Sequence, residues 1–125
     1  MKYKLWISVF FVLMALTFTQ TQASHVFYTG NMLVELMREY DRYEAGVNDV
    51  NGFECGIYFA YIIGVYDVTN ILYDPPNTAT KGQIIAVVSK FLKKNPERWS
   101  EPASLLVVEA LQKAFPLKEK KEEKK

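Results

Sequence analysis

Two residues could supply imidazole or thiol chemistry here, His25 and Cys55, and each is the single representative of its type. Cys–His or Ser–His–Asp catalysis needs the nucleophile and an imidazole within hydrogen-bond reach. His25 lies one residue past a candidate signal-peptidase site, on a terminus of the kind that is usually mobile. Such a site on the folded body is therefore excluded by inventory, and a zinc centre is nearly excluded for the same reason. Paired carboxylates for hydrolysis would be Asp67 with Asp74 or Glu109, but nothing in the sequence brings them together. The expectation is a chain that is not an enzyme and holds no cofactor or metal. Cys55 alone cannot form an intramolecular disulfide. It is read either as a buried thiol, the commoner fate of cysteine, or as a site for an intermolecular bridge.

The elements that must position any functional residue begin after a leader. Lys2 and Lys4 precede an apolar run from Leu5 to Phe18, and a polar stretch then leads to Ala23. Thr21 and Ala23 are small enough for signal peptidase, so residues 1–23 are expected to be a signal peptide cleaved before Ser24. The run falls short of the roughly 20 apolar residues a membrane span needs. No cysteine stands at the cleavage point for a lipid anchor, so no stable membrane anchor is expected. The other reading of the leader is an uncleaved amphipathic or anchoring helix.

About 100 residues remain, enough for one domain with a modest core. The segment 24–117 carries 8 basic and 11 acidic residues. That balance excludes a nucleic-acid footprint, which needs clustered Lys and Arg. Residues 118–125, five Lys and three Glu with no apolar residue, read as a disordered charged tail.

The body reads as an all-α bundle of about four helices. The first runs from Gly30 to Tyr43, capped by Thr29 or Asn31, with Met32, Leu33, Leu36, Met37 and Tyr40 on its apolar stripe. Gly46–Gly52 is a connecting loop. The second, from Asp49 or Gly52 to Leu72, is rich in β-branched and aromatic residues but too long for a strand. It is apolar on most sides, as a central helix would be, with Ile57, Ala60, Tyr61, Gly64 and Val68 on one face. Gly56, Ala60 and Gly64 make a small-residue stripe that would admit another helix closely. Pro75 and Pro76 interrupt the helix after Tyr73. Thr80 and Gln83 form a capping box opening the third helix, whose buried face is expected to be Ile84, Val87, Val88 and Phe91. The fourth is expected to start with Ser100 as cap and Pro102 in its first turn. Ala103, Leu106, Val107, Ala110, Leu111 and Ala114 then repeat at helical spacing, and Pro116 closes it.

The ordered set runs from Thr29-Gly30 through Tyr61-Ile-Ile-Gly-Val-Tyr-Asp67, the proline loop, Thr80-Lys-Gly-Gln83, Asn95-Pro-Glu97 and Leu106-Val107 to Ala114-Phe-Pro116. It resembles the Rap/Tai family of type VI secretion immunity proteins over about Phe27 to Leu117. The resemblance implies a small exported helical protein that neutralises a peptidoglycan amidase toxin in the periplasm. It also implies a homodimer, for which the thinly charged second helix is a reasonable interface. Members of the family commonly carry several cysteines. The corresponding positions here are Met37, Tyr58, Tyr73 and Leu117, so the usual pairing is absent.

Family amidases use a cysteine nucleophile and a histidine base in a groove, so the resemblance implies inhibition by occlusion. The best candidate for the occluding element is the loop of Tyr73, Asp74, Pro75, Pro76 and Asn77, with an aromatic anchor and polar contacts held by two prolines. The plainer reading is an interhelical connection. Glu97, Arg98 and Trp99 form a second candidate, although Trp99 is more often a core plug beneath a helix start. Tyr58, Tyr61 and Tyr66 either line a pocket or pack a core with their hydroxyls at its rim. The alternative function is a small envelope-binding or chaperone-like helical protein of unknown ligand.

Overall fold

The computed structural model describes residues 26–118. The expected leader, most of the expected tail, and His25 lie outside that range. Four helices account for nearly all of it: α1 Gly30–Glu44, α2 Gly52–Thr69, α3 Lys81–Lys94 and α4 Ala103–Ala114. Short 3-10 turns follow α2 (Asn70–Leu72) and α3 (Pro96–Arg98). The described residues contain no strand, only an isolated antiparallel bridge between Thr29 and Pro102. The fold is all-α, as the sequence predicts.

Local chemistry sets most helix ends. The Thr29 hydroxyl accepts from the Met32 N–H at 3.5 Å and opens α1. Gly46, at φ +75°, turns the chain after it, in a region that only glycine enters without strain. The loop to α2 is pinned by Arg42, which pairs with Glu39 and donates to the Asp49 carbonyl, both at 2.6 Å. Glu39 also accepts the Asn51 N–H at 3.1 Å. That hydrogen bond and the Arg42 guanidinium hold the Glu39 carboxyl below its ordinary range. The Asn51 side chain then caps α2 by accepting from Phe53 and Glu54. The capping box of α3 is complete: Thr80 Oγ1 accepts from Gln83 at 3.2 Å and Gln83 Oε1 accepts from Thr80 at 2.8 Å.

The start of α4 departs from expectation. Ser100 makes no cap, and Pro102 occupies the cap position. The free donor of Ala103 goes to the Tyr28 carbonyl at 2.9 Å, while Gly30 N–H donates to Glu101 O (2.8 Å) and Asn31 N–H to Trp99 O (2.6 Å). The segment entering α1 thus meets the groups that a side-chain cap would otherwise satisfy. Gly30 makes this crossing possible: a Cβ there would lie 2.8 Å from the Trp99 backbone and 2.5 Å from Leu106 Cδ1.

All four helices feed one core. Leu33, Val34 and Met37 come from α1, and Tyr58 and Ile62 from α2. Ile84, Ile85, Val88 and Leu92 come from α3, and Ala103, Leu106, Val107, Ala110 and Leu111 from α4. Three faces differ from the pattern reading. Met32 points outward and Val34 inward on α1. On α3, Ile85 and Leu92 are buried while Val87 and Phe91 sit half-exposed on the α4 side. The largest difference is α2, which packs against all three other helices but is not enclosed by them. Its buried edge is Cys55, Tyr58 and Ile62. The small-residue stripe and Val68, expected to face a neighbour, face outward beside Phe53 and Ile71. Apolar residues surround α2 on nearly every side, so periodicity gives it no preferred face. By length and composition alone Gly52–Leu72 could cross a membrane. Its buried edge instead completes the core of this bundle.

Candidate functional site

The loop from Tyr73 to Thr80 joins the 3-10 turn after α2 to α3. Its prolines prevent helix continuation, and the Ala79 N–H donates to the Pro76 carbonyl at 2.8 Å to close the turn. Tyr73 was expected as an exposed aromatic anchor. It is instead 3% exposed and turned into the core. Its hydroxyl donates to the Tyr66 carbonyl at 3.0 Å and shares a 2.7 Å hydrogen bond with Thr69 Oγ1. The Thr69 hydroxyl in turn donates to Val65 O at 2.6 Å. Burial pushes the Tyr73 phenol up. Its ring packs against Tyr66, with centroids 5.4 Å apart. Tyr73 is therefore the root of the loop. A large ring beside a ready set of local acceptors is more stable inside, with its hydroxyl satisfied, than extended into water.

The rest of the loop is presented outward. Asp74, Pro76, Asn77 and Thr78 are exposed and Pro75 is half-buried. The base of the loop is also tied to the segment that follows α4. The Asp74 N–H donates to the Phe115 carbonyl at 3.0 Å, and the Asp74 carboxylate pairs with Lys118 at 3.2 Å. This exposed pair adds little stability, but the backbone bond fixes where the loop leaves the bundle.

The second candidate divides in the same way. Trp99 plugs the space beneath the start of α4, donating its indole N–H to Leu92 O at 2.9 Å. Arg98 is engaged within the molecule, with Glu101 at 2.7 Å and Glu109 at 2.6 Å. Lys113 also pairs with Glu109 at 2.8 Å. Arg98 and then Lys113 hold the Glu109 carboxyl down to about 2. Glu97 alone of this trio is exposed and unbonded among the described residues.

The chemistry-bearing residues are kept apart. Cys55 is a free, buried thiol pushed up by desolvation and then by the Glu39 charge, the opposite of an activated nucleophile. Glu109 is committed to Arg98 and Lys113, Asp74 to Lys118, and Asp67 is exposed on α2. Tyr58 and Tyr61 pack within the bundle, whereas Tyr66 packs on Tyr73 and also borders a small hollow with Asp67, Thr80 and Lys81. Tyr58 is fully buried with its hydroxyl 2.7 Å from Ser89 Oγ, its ring 5.4 Å from that of Tyr40, and its phenol pushed well up by burial. Tyr61 packs on Tyr28 at 5.2 Å. Of the four positions where the family resemblance places cysteines, Met37, Tyr58 and Tyr73 are core residues and Leu117 is exposed. Packing fills three of the places where a thiol was absent.

The α3–α4 side carries a feature that sequence reading missed. Val87 and Phe91 border an open groove with Ala114 and Phe115. Their helical spacing was visible, but it was read as a wholly buried face. No curated protein matches the sequence. The Rap1a immunity protein family matches residues 29–117, from the cap of α1 past the end of α4. A match that spans all four helices and the loop establishes the chain as a member of the Rap1a immunity protein family, whose members act by binding and not by catalysis.

Proposed function

We propose that this protein is exported to the periplasm by residues 1–23 and there binds and occludes a peptidoglycan amidase toxin of a type VI secretion system. The observation that carries the reading is the family match over residues 29–117. A body whose thiol is buried, and in which Glu109 and Asp74 are each held by a separate cation, supports a role without chemistry of its own. The contacting element is the loop, with Asp74, Pro75, Pro76 and Asn77 presented to the toxin and Tyr73 holding their base in the core. Prolines and the Asp74–Phe115 hydrogen bond leave the loop little conformational freedom to lose on binding.

The test is co-purification with the amidase encoded beside this gene, together with rescue of cells from that amidase directed to the periplasm. A chain that neither binds nor protects overturns the reading for that toxin. Asn77→Arg with Pro76→Ala should weaken binding without unfolding the bundle, since both residues are exposed.

The protein also assembles as a homodimer in this reading, through the outer face of α2. Phe53, Val68 and Ile71 are each at least three-quarters exposed there, around a strip of Gly56, Ala60 and Gly64 that lets a second helix approach. A monomeric mass by light scattering at micromolar concentration counts against this assembly.

A further inference from the structure

We propose that the groove between α3 and α4 docks an acidic segment of a partner protein that carries apolar side chains at helical spacing. Two contiguous hollows, of about 380 and 370 Å³, run from the loop end to Asn95 and share Val87 and Lys90. Val87 and Phe91 on α3 face Ala110 and Ala114 on α4, each pair four residues apart. Phe115 closes the loop end. Val87, Phe91 and Phe115 pack on the core with one side and leave the other half-exposed, so the floor is rigid and apolar.

The charge on the lining is of one sign. Lys90 and Lys94 on α3 and Lys113 on α4 are its only charged residues, and all three are exposed. Glu109, the nearest acidic group of α4, is already held by Arg98 and Lys113. Lys113 also covers the Phe91 ring at 5.2 Å. Lys90 and Lys94 have no ion pair among the described residues. Lys90 and Lys94 also border the cleft on the other flank of α3, where Asp41 and Glu44 of α1 stand and Asp41 takes Lys93 at 2.8 Å. Self-compensated charge suits a solvated cleft. An apolar floor edged on α3 by Lys90 and Lys94, which have no ion pair among the described residues, suits a helix whose apolar stripe is flanked by carboxylates. The chain's own tail, residues 119–125, has glutamates but no apolar residue to fill the floor. The proposal rests on the toxin-binding reading only for the owner of the segment.

The probe is a synthetic 16-residue peptide with Leu and Phe at i, i+3, i+4 and i+7 and Glu on the flanking positions, with a counterpart carrying Lys for Glu. It is titrated into the full mature chain and followed by amide NMR. The Glu peptide should bind, shift Val87, Phe91, Ala110 and Ala114, and weaken as salt rises. The double variant K90E/K94E, altered only at exposed sites, should weaken it about tenfold or more and keep the native spectrum elsewhere. Equal binding of both peptides, an unchanged affinity in the double variant, or shifts centred on α2 overturn the proposal. So do groove shifts that follow dilution of the protein alone or removal of residues 119–125, which would assign the groove to a second copy or to the tail. Failure to bind the amidase strikes the proposed function and leaves the peptide result to decide the groove.

Discussion

Small residues serve opposite purposes at the α1–α4 crossing and on the outer face of α2. At the crossing, Gly30 brings backbone against backbone, and a single Cβ would meet Trp99 and Leu106 within 2.8 Å. On α2, Gly56 and Gly64 have nothing within 4 Å of where a Cβ would stand. Glycine inside a helix costs about 1 kcal/mol relative to alanine. At Gly30 the fold uses that cost to close the core. At Gly56 and Gly64 no contact among the described residues offsets it. The difference separates a glycine that folding requires from glycines that the described fold leaves in open space, which is where the proposed homodimer contact would fall.

The largest expected effects fall at the crossing. Gly30→Ala should destabilise by roughly 2–3 kcal/mol, because the Trp99 backbone cannot step aside as a flexible side chain could. Leu106→Ala should cost about 3 kcal/mol in lost burial and cavity, whereas Phe53→Ala, at 77% exposure, should change the stability of the monomer by less than about 0.5 kcal/mol. Urea titration of the three variants checks the ranking. Equal losses at Leu106 and Phe53 would mean that α2's outer face is covered even in the monomer.

Tyr58→Phe should cost about 1 kcal/mol, since it strands the Ser89 hydroxyl in the core. Gly64→Ala should have the opposite sign, raising monomer stability by up to about 1 kcal/mol through helix propensity. The same change should loosen self-association by analytical ultracentrifugation. A variant that is more stable and associates as well as the parent would remove the stripe's reason to be small.

The smallest effect is electrostatic. Glu109 is held near 2 by Arg98 and Lys113, below its ordinary 4.5. A carboxyl depressed in the folded state contributes fully above its unfolded pKa and loses that contribution as pH falls through the folded one. Thermal melts should therefore decline between about pH 4.5 and pH 2, and Glu109→Gln should flatten part of that decline. The pair is partly exposed, so the change is modest.

Much of the helical scaffold was legible because its signals are local. The Thr80–Gln83 capping box, the Thr29 cap and the proline break after Tyr73 each depend on residues a few positions apart, and each stands where the pattern places it. The candidate loop was legible in position but not in orientation. Nothing adjacent in sequence announces that the Tyr73 hydroxyl reaches back to Thr69 and the Tyr66 carbonyl, so an aromatic beside two prolines read as a projecting anchor. Val87 and Phe91 were assigned inward because their spacing is right for a buried face, although α4 covers only part of them and leaves one edge open.

By itself, the sequence determined the inventory and much of the punctuation: one histidine, one cysteine, a slight acidic excess over residues 24–117, and helices whose type and, for some, whose caps are set by near neighbours. Those follow from composition and short-range hydrogen bonding, which need no third dimension. Tertiary contact settled which side of α2 faces the core, how α4 begins without a cap of its own, and which way Tyr73 turns. In each case local energies are nearly balanced: α2 is apolar on almost every side, and both Ala103 and Tyr73 need hydrogen-bond partners. The balance is tipped by groups that only folding brings near, such as the Tyr28 carbonyl beneath Ala103.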